Sequence, residues 1–144
     1  MNSDIPAPLI DFSYRDDLDI LVSRWAYQPD PHELPAVYQQ MCTMAVREKA
    51  RFWLQDIRRR TLNDPHTTDW LLNKYFPEMA RRLNGRLYVA YLLSPALHAS
   101  IVNRPDYVPA EAYNDKPFAT SFFNDEGAAI RWLQIQQTDK VHRP

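Results

Sequence analysis

The run Leu87-Tyr88-Val89-Ala90-Tyr91-Leu92-Leu93 carries no charge and no amide, and its only side-chain polar atoms are two phenol oxygens. It is too short for a buried helix and shows no polar alternation, so it fits a strand covered on both faces. Ser94-Pro95 ends it. Such a strand needs sheet neighbours at its sides and helices over it, which places the chain in the α/β class.

The remaining segments supply those neighbours. Leu9–Tyr14 alternates loosely, breaks at Arg15, Asp16 and Asp17, and is followed by Ile20–Tyr27, rich in β-branched and aromatic residues. Two strands joined by a short turn are predicted. Pro29, Pro31 and Pro35 stop the second strand and open a helix, with Asp30 as its cap; Leu34, Val37, Tyr38, Met41, Met44 and Ala45 form one stripe at helical spacing. Phe52–Ile57, apolar and bounded by charge, reads as a third strand.

After Arg58, Arg59 and Arg60, a second helical stripe runs from Trp70 through Leu83. Asn84, before Gly85, is expected to close that helix in the left-handed conformation, and Pro77 to kink or split it near Phe76. A short helix over 95–103, a long surface loop over 104–117, a strand at Phe118–Phe123 and a closing helix complete the chain. Asn124 or Asp125 caps that last helix, and Ala129, Trp132 and Leu133 form its inward face. The order β-β-α-β-α-β-α-β-α predicts a mixed, mostly parallel five-stranded sheet with crossover helices and one antiparallel hairpin strand.

The 144 residues contain no repeat, and the 12 prolines are spread as punctuation. We therefore expect one domain over 9–137, with residues 1–8 and 138–144 as flexible polar ends. Such a chain buries enough surface to fold without a disulfide, and its one cysteine, Cys42, reads as a small buried hydrophobe in a reducing compartment. There is no apolar stretch of membrane-spanning length, and Met1–Pro6 lacks the features of a signal peptide, so a cytoplasmic location is expected. With 17 Lys+Arg against 18 Asp+Glu, the chain lacks the basic excess of a general nucleic-acid binder.

Gly85 and Gly127 are the only glycines, so neither glycine-rich phosphate loop nor a Gly-x-Ser-x-Gly elbow can form. His32, His66, His98 and His142 stand in separate segments without metal-site spacing; no metal and no cofactor are expected. His66 and Asp69 fall in a stretch that reads as a turn with a helix cap. Ser94 and His98 form the one hydroxyl–imidazole pair worth testing as a hydrolase centre, although Ser-Pro at a helix start is an ordinary cap.

Ligands of open α/β sheets gather outside the carboxyl ends of the parallel strands, which brings Asp56–Arg60 and Ser94–His98 to one edge. There Arg58, Arg59 and Arg60, with the helix N-terminus at Thr67 and Thr68, form a candidate anion or partner site. The competing reading is a solvated loop whose arginines pair with Asp56, Asp64 and Asp69. Trp25, Trp53, Trp70 and Trp132 are read as core, and Tyr107, Tyr113 and Phe118 as residues for a partner or dimer surface.

The middle strand Phe52-Trp53-Leu54-Gln55-Asp56, the apolar strand Leu87–Ser94 and the ending Phe123–Leu133, with its acidic residues, alanines and Trp-Leu, together resemble the STAS-type superfamily. More narrowly they resemble bacterial SpoIIAA-like proteins, over residues 9–135. The resemblance implies the same α/β architecture. In anti-anti-sigma factors of that superfamily, an Asp-Ser-Ser-Gly-like turn after the middle strand carries a phosphorylated Ser that controls a partner kinase. Here 58–70 has no Ser and no Gly, and offers only Thr61, Thr67 and Thr68. Related CRAL-TRIO domains bind lipids but are longer, with extra helices. The expected function is a non-enzymatic cytoplasmic binding or regulatory module with a protein partner, a homodimer being one form. The alternatives are a carrier of a small anionic or amphipathic ligand near Arg58–Arg60, and a hydrolase using Ser94 and His98.

Overall fold

A strand apolar on both faces belongs inside a sheet, and that is where Leu87–Leu92 lies. The structure, a computed structural model, describes residues 8–61, 64–105 and 115–141. Its elements are β1 (Ile10–Arg15), β2 (Ile20–Trp25), a 3-10 turn (Pro31–Glu33), α1 (Leu34–Glu48), β3 (Phe52–Asp56), α2 (Pro65–Trp70), a π turn (Leu71–Tyr75), α3 (Phe76–Arg82), β4 (Leu87–Leu92), α4 (Pro95–Val102), β5 (Phe118–Phe123) and α5 (Glu126–Val141). The five strands lie in sequence order. β1 is antiparallel to β2, and all the other neighbours are parallel. The predicted mixed α/β sheet is therefore the observed one.

Alternation along the strands divides the core into two layers. On one face Trp25 packs against Tyr38 of α1, Trp53 against Tyr75 and Phe76, and Phe118 against Phe76. On the other, Tyr88 and Phe123 pack against Trp132 of α5, whose Ala129 and Leu133 are fully buried. The two layers are covered unequally. Beyond α5, the polar face of β1 (Asp11, Ser13, Arg15) is exposed and borders a groove of about 140 Å³ floored by Ile20, Val22 and Leu54.

The local chemistry follows from single residues. Asn84 has φ 57°, and the Gly85 N–H donates to Ala80 O at 3.1 Å, which closes α3 as its sequence predicts. Pro77 splits the long helix: the Phe76 N–H reaches back five residues to Leu71 O, and this wider π turn admits the ring that a regular turn would exclude. Asp125, not Asn124, caps α5, its Oδ2 accepting from the Ala128 N–H at 2.8 Å. That helix runs to Val141, four residues past the boundary expected at 137. Nothing in its sequence stops it earlier, and Gln137 Nε2 donates to Leu18 O at 2.9 Å in the β1–β2 turn, tying the helix end to the sheet. Residues 1–7, the centre of the expected loop at 104–117 with Tyr107 and Tyr113, and His142 lie outside the described residues. Among the described residues, no helix is long and apolar enough to cross a membrane.

Trp53 is the pivot of the helical layer: it is fully buried, its Nε1–H donates to Ala50 O at 2.9 Å, and its ring meets Tyr75 and Phe76. Trp53→Ala is expected to cost about 3–5 kcal/mol in urea unfolding with an unchanged m-value. A loss below about 1 kcal/mol would contradict this packing.

Candidate functional site

Two strands end in charge at the carboxyl edge. Arg24 is the one charged residue of Ile20–Tyr27, and the β2–β3 register sets it directly opposite Asp56, the last residue of an otherwise uncharged strand. Asp56 lies at the rim of the core, with its side chain 9% exposed. Arg24 Nη1 donates to Asp56 Oδ2 at 3.0 Å, and its two terminal nitrogens donate to the Glu126 carboxylate at 2.9 and 3.1 Å. Arg58 closes the other side: its Nε and Nη2 reach Asp56 at 2.9 and 2.8 Å, and its backbone N–H reaches Oδ1 at 3.2 Å. Two guanidiniums and two carboxylates thus balance.

Burial disfavours the charged form of Asp56, but the Arg58 side chain and backbone N–H and the Arg24 guanidinium outweigh it and hold this carboxyl below its ordinary range. Glu126 is also lowered, chiefly by its hydrogen bonds from Arg24. Arg24 is raised mainly by Glu126, and Arg58 mainly by Asp56.

The three adjacent arginines do not converge. Arg58 turns to Asp56, Arg59 is exposed, and Arg60 is buried with its guanidinium 4.3 Å over the Trp25 ring in the helical layer. There it lies beside Tyr38, whose phenol is pushed up by burial and drawn partly back by Arg60. The Thr61 N–H donates to Gln28 Oε1 at 2.8 Å. Asp64 caps α2, accepting from the Thr67 N–H at 2.6 Å, so the chain's own carboxylate takes a donor expected to face an outside anion. Thr68 is exposed. Of the carboxylates expected to hold arginines, Asp56 takes two, whereas Asp64 is this cap and Asp69 accepts from Asn73 at 2.7 Å.

Ser94 caps α4, its hydroxyl oxygen accepting from the Leu97 N–H at 3.1 Å; it meets His98 through the backbone, the His98 N–H donating to Ser94 O at 2.9 Å. Among the described residues, no three His, Cys, Asp or Glu side chains form a group able to hold a metal ion. Cys42 is buried, with Arg82 Nη1 at 3.5 Å from its sulfur. Arg24 and Glu126 are the site residues that the sequence reading misses. Their signal is faint: a lone charge in an apolar strand, and a carboxylate one residue after a cap.

Asp56→Asn leaves both arginines facing a neutral amide and is expected to cost about 1–3 kcal/mol at pH 7. In the unaltered protein the unfolded state binds more protons than the native one once pH approaches ordinary carboxyl values. Stability therefore falls as pH drops through about 4 and below, and the substitution flattens that slope. Urea midpoints between pH 3 and 7 check both effects, and an unchanged acid slope contradicts them. Compared with known proteins, the chain matches no protein-family model and no curated protein sequence.

Proposed function

We propose that this chain is a non-enzymatic binding or regulatory module of STAS-like type, acting in the cytoplasm through a protein partner or a second copy of itself. The observation that carries this reading is the closed charge cluster at the carboxyl edge. Arg24, Asp56, Arg58 and Glu126 satisfy one another, while the Ser94 hydroxyl and the Asp64 carboxylate cap helices. Groups spent in this way hold loops in place. Arg24, Arg58 and Glu126 nonetheless remain partly exposed, at 41%, 50% and 37% of their side chains, so the cluster offers solvent a fixed pattern of alternating charge. Such a pattern on rigid elements favours recognition of a complementary protein surface, where charge placement governs specificity and encounter rate.

The alternatives ask more of the same residues. A carrier of a small anion near Arg58–Arg60 needs guanidiniums on one site, and here Arg58 and Arg60 go to opposite layers. A hydrolase needs the Ser94 hydroxyl beside a base, and that oxygen faces the Leu97 N–H.

Native mass spectrometry of freshly purified protein, with a panel of fluorogenic esters and phosphate esters, tests the reading. The expected result is the mass of one or two bare chains and no turnover that depends on Ser94. A retained small-molecule mass that disappears in the Arg58→Ala/Arg59→Ala variant establishes the carrier instead. Hydrolysis that Ser94→Ala abolishes establishes the enzyme.

A further inference from the structure

β1 is the outermost strand of the sheet, and among the described residues no strand but β2 pairs with it. The Ala26 N–H donates to Leu9 O at 2.7 Å, so Leu9 and Ala26 form a hydrogen-bonded pair. The unbroken β1–β2 register carries that phase along the strand: Asp11, Ser13 and Arg15 turn their backbone groups to β2, and Ile10, Phe12 and Tyr14 turn theirs outward. Proteins blunt such edges with proline, lysine or a bulge. Ile10–Arg15 has no proline and no lysine, and its six residues pair with β2 without interruption.

The side chains select one partner and one register. Asp11, Ser13 and Arg15 share an exposed face, and Phe12 and Tyr14 share the half-buried one. Two copies of β1 running antiparallel join outward groups to outward groups only when the dyad passes through a residue of the strand. A dyad at Asp11 or Arg15 opposes like charges, one at Phe12 sets Asp11 against Ser13, and one at Tyr14 sets Asp11 against Asp17. A dyad at Ser13 sets Asp11 opposite the partner's Arg15, twice by symmetry, and Phe12 opposite the partner's Tyr14. Opposite-charge and aromatic cross-strand pairs are both favourable. Arg15 already holds Asp17 through Nε and Nη2, at 3.1 and 2.8 Å, but that pair is solvated, with side chains 50% and 59% exposed, and Nη1 takes no part in it. β5, the strand at the other side of the sheet, carries no charge from Phe118 to Phe123, so charge selects no register there.

We propose that β1 is the interface of a symmetric dimer of this chain. Two copies pair antiparallel about Ser13 and join their five-stranded sheets into one. Phe12 and the partner's Tyr14 exchange backbone hydrogen bonds, and Asp11 meets the partner's Arg15 on each side of the dyad. This gives a place to the second copy in the proposed function, and it uses none of the cluster around Asp56, so either reading can fail alone.

Sedimentation of the full chain from micromolar to millimolar concentration, with amide exchange followed by NMR, tests the proposal. A monomer–dimer equilibrium that weakens as salt rises is expected. Exchange of the Phe12 and Tyr14 amides slows with concentration, while those of Asp11 and Ser13 are protected by β2 throughout. Asp11→Arg or Arg15→Asp sets like charges opposite and weakens dimerisation at least tenfold, and the double variant Asp11→Arg/Arg15→Asp restores it. Both side chains are exposed, so the fold is retained. A chain that is monomeric at every concentration, a dimer that the single reversals leave intact, or one that the double variant fails to restore each overturns the proposal. A dimer lost in Arg58→Ala but indifferent to Asp11 and Arg15 places the second copy at the carboxyl edge instead.

Discussion

A carboxylate that ends a buried central strand has to be compensated where it stands, and Asp56 is such a carboxylate. Its strand is buried throughout, so the side chain is brought to the rim of the core by the same register that places Trp53 within it. Arg24 reaches it from the neighbouring strand, Arg58 from the turn that follows, and Glu126 joins through Arg24 at the start of α5. One compensated charge thus links β2, β3, the loop after β3 and the last helix. The cost of leaving it unpaired is what fixes these four pieces relative to one another.

At the carboxyl edge Arg24, Asp56, Arg58 and Glu126 are spent on each other and Asp64 and Ser94 on helix caps, leaving a surface of paired charge. At the amino edge Arg81, Arg86 and Lys116 line an open pocket together with Pro77 and Pro117. A balanced surface discriminates among partners by pattern.

How much could be read from the residues depended on the range of the interaction. The apolar run at Leu87–Leu93, the left-handed Asn84 and the break at Pro77 are set by neighbours within a turn or two, and each is legible. The parallel order followed from the alternation of strands and helices. The candidate site was harder: Arg24 and Glu126 are 102 positions apart, and nothing local signals that strand register and a helix start will bring them together. Three consecutive arginines look like one patch in a sequence, yet a turn sends Arg58 to a carboxylate and Arg60 onto Trp25. The extent of α5 was missed because its last turns are polar and are tied down by Gln137 through the distant β1–β2 turn.

The most direct measurement is a pH titration of the Asp56 carboxyl carbon by NMR in the folded protein. If Arg24 and Arg58 hold this group ionised, its midpoint lies below the ordinary aspartate value of about 3.9. It then moves upward in Arg58→Ala. A midpoint at or above that value would mean that burial, not pairing, governs the site, and the self-compensated edge on which the account rests would be wrong.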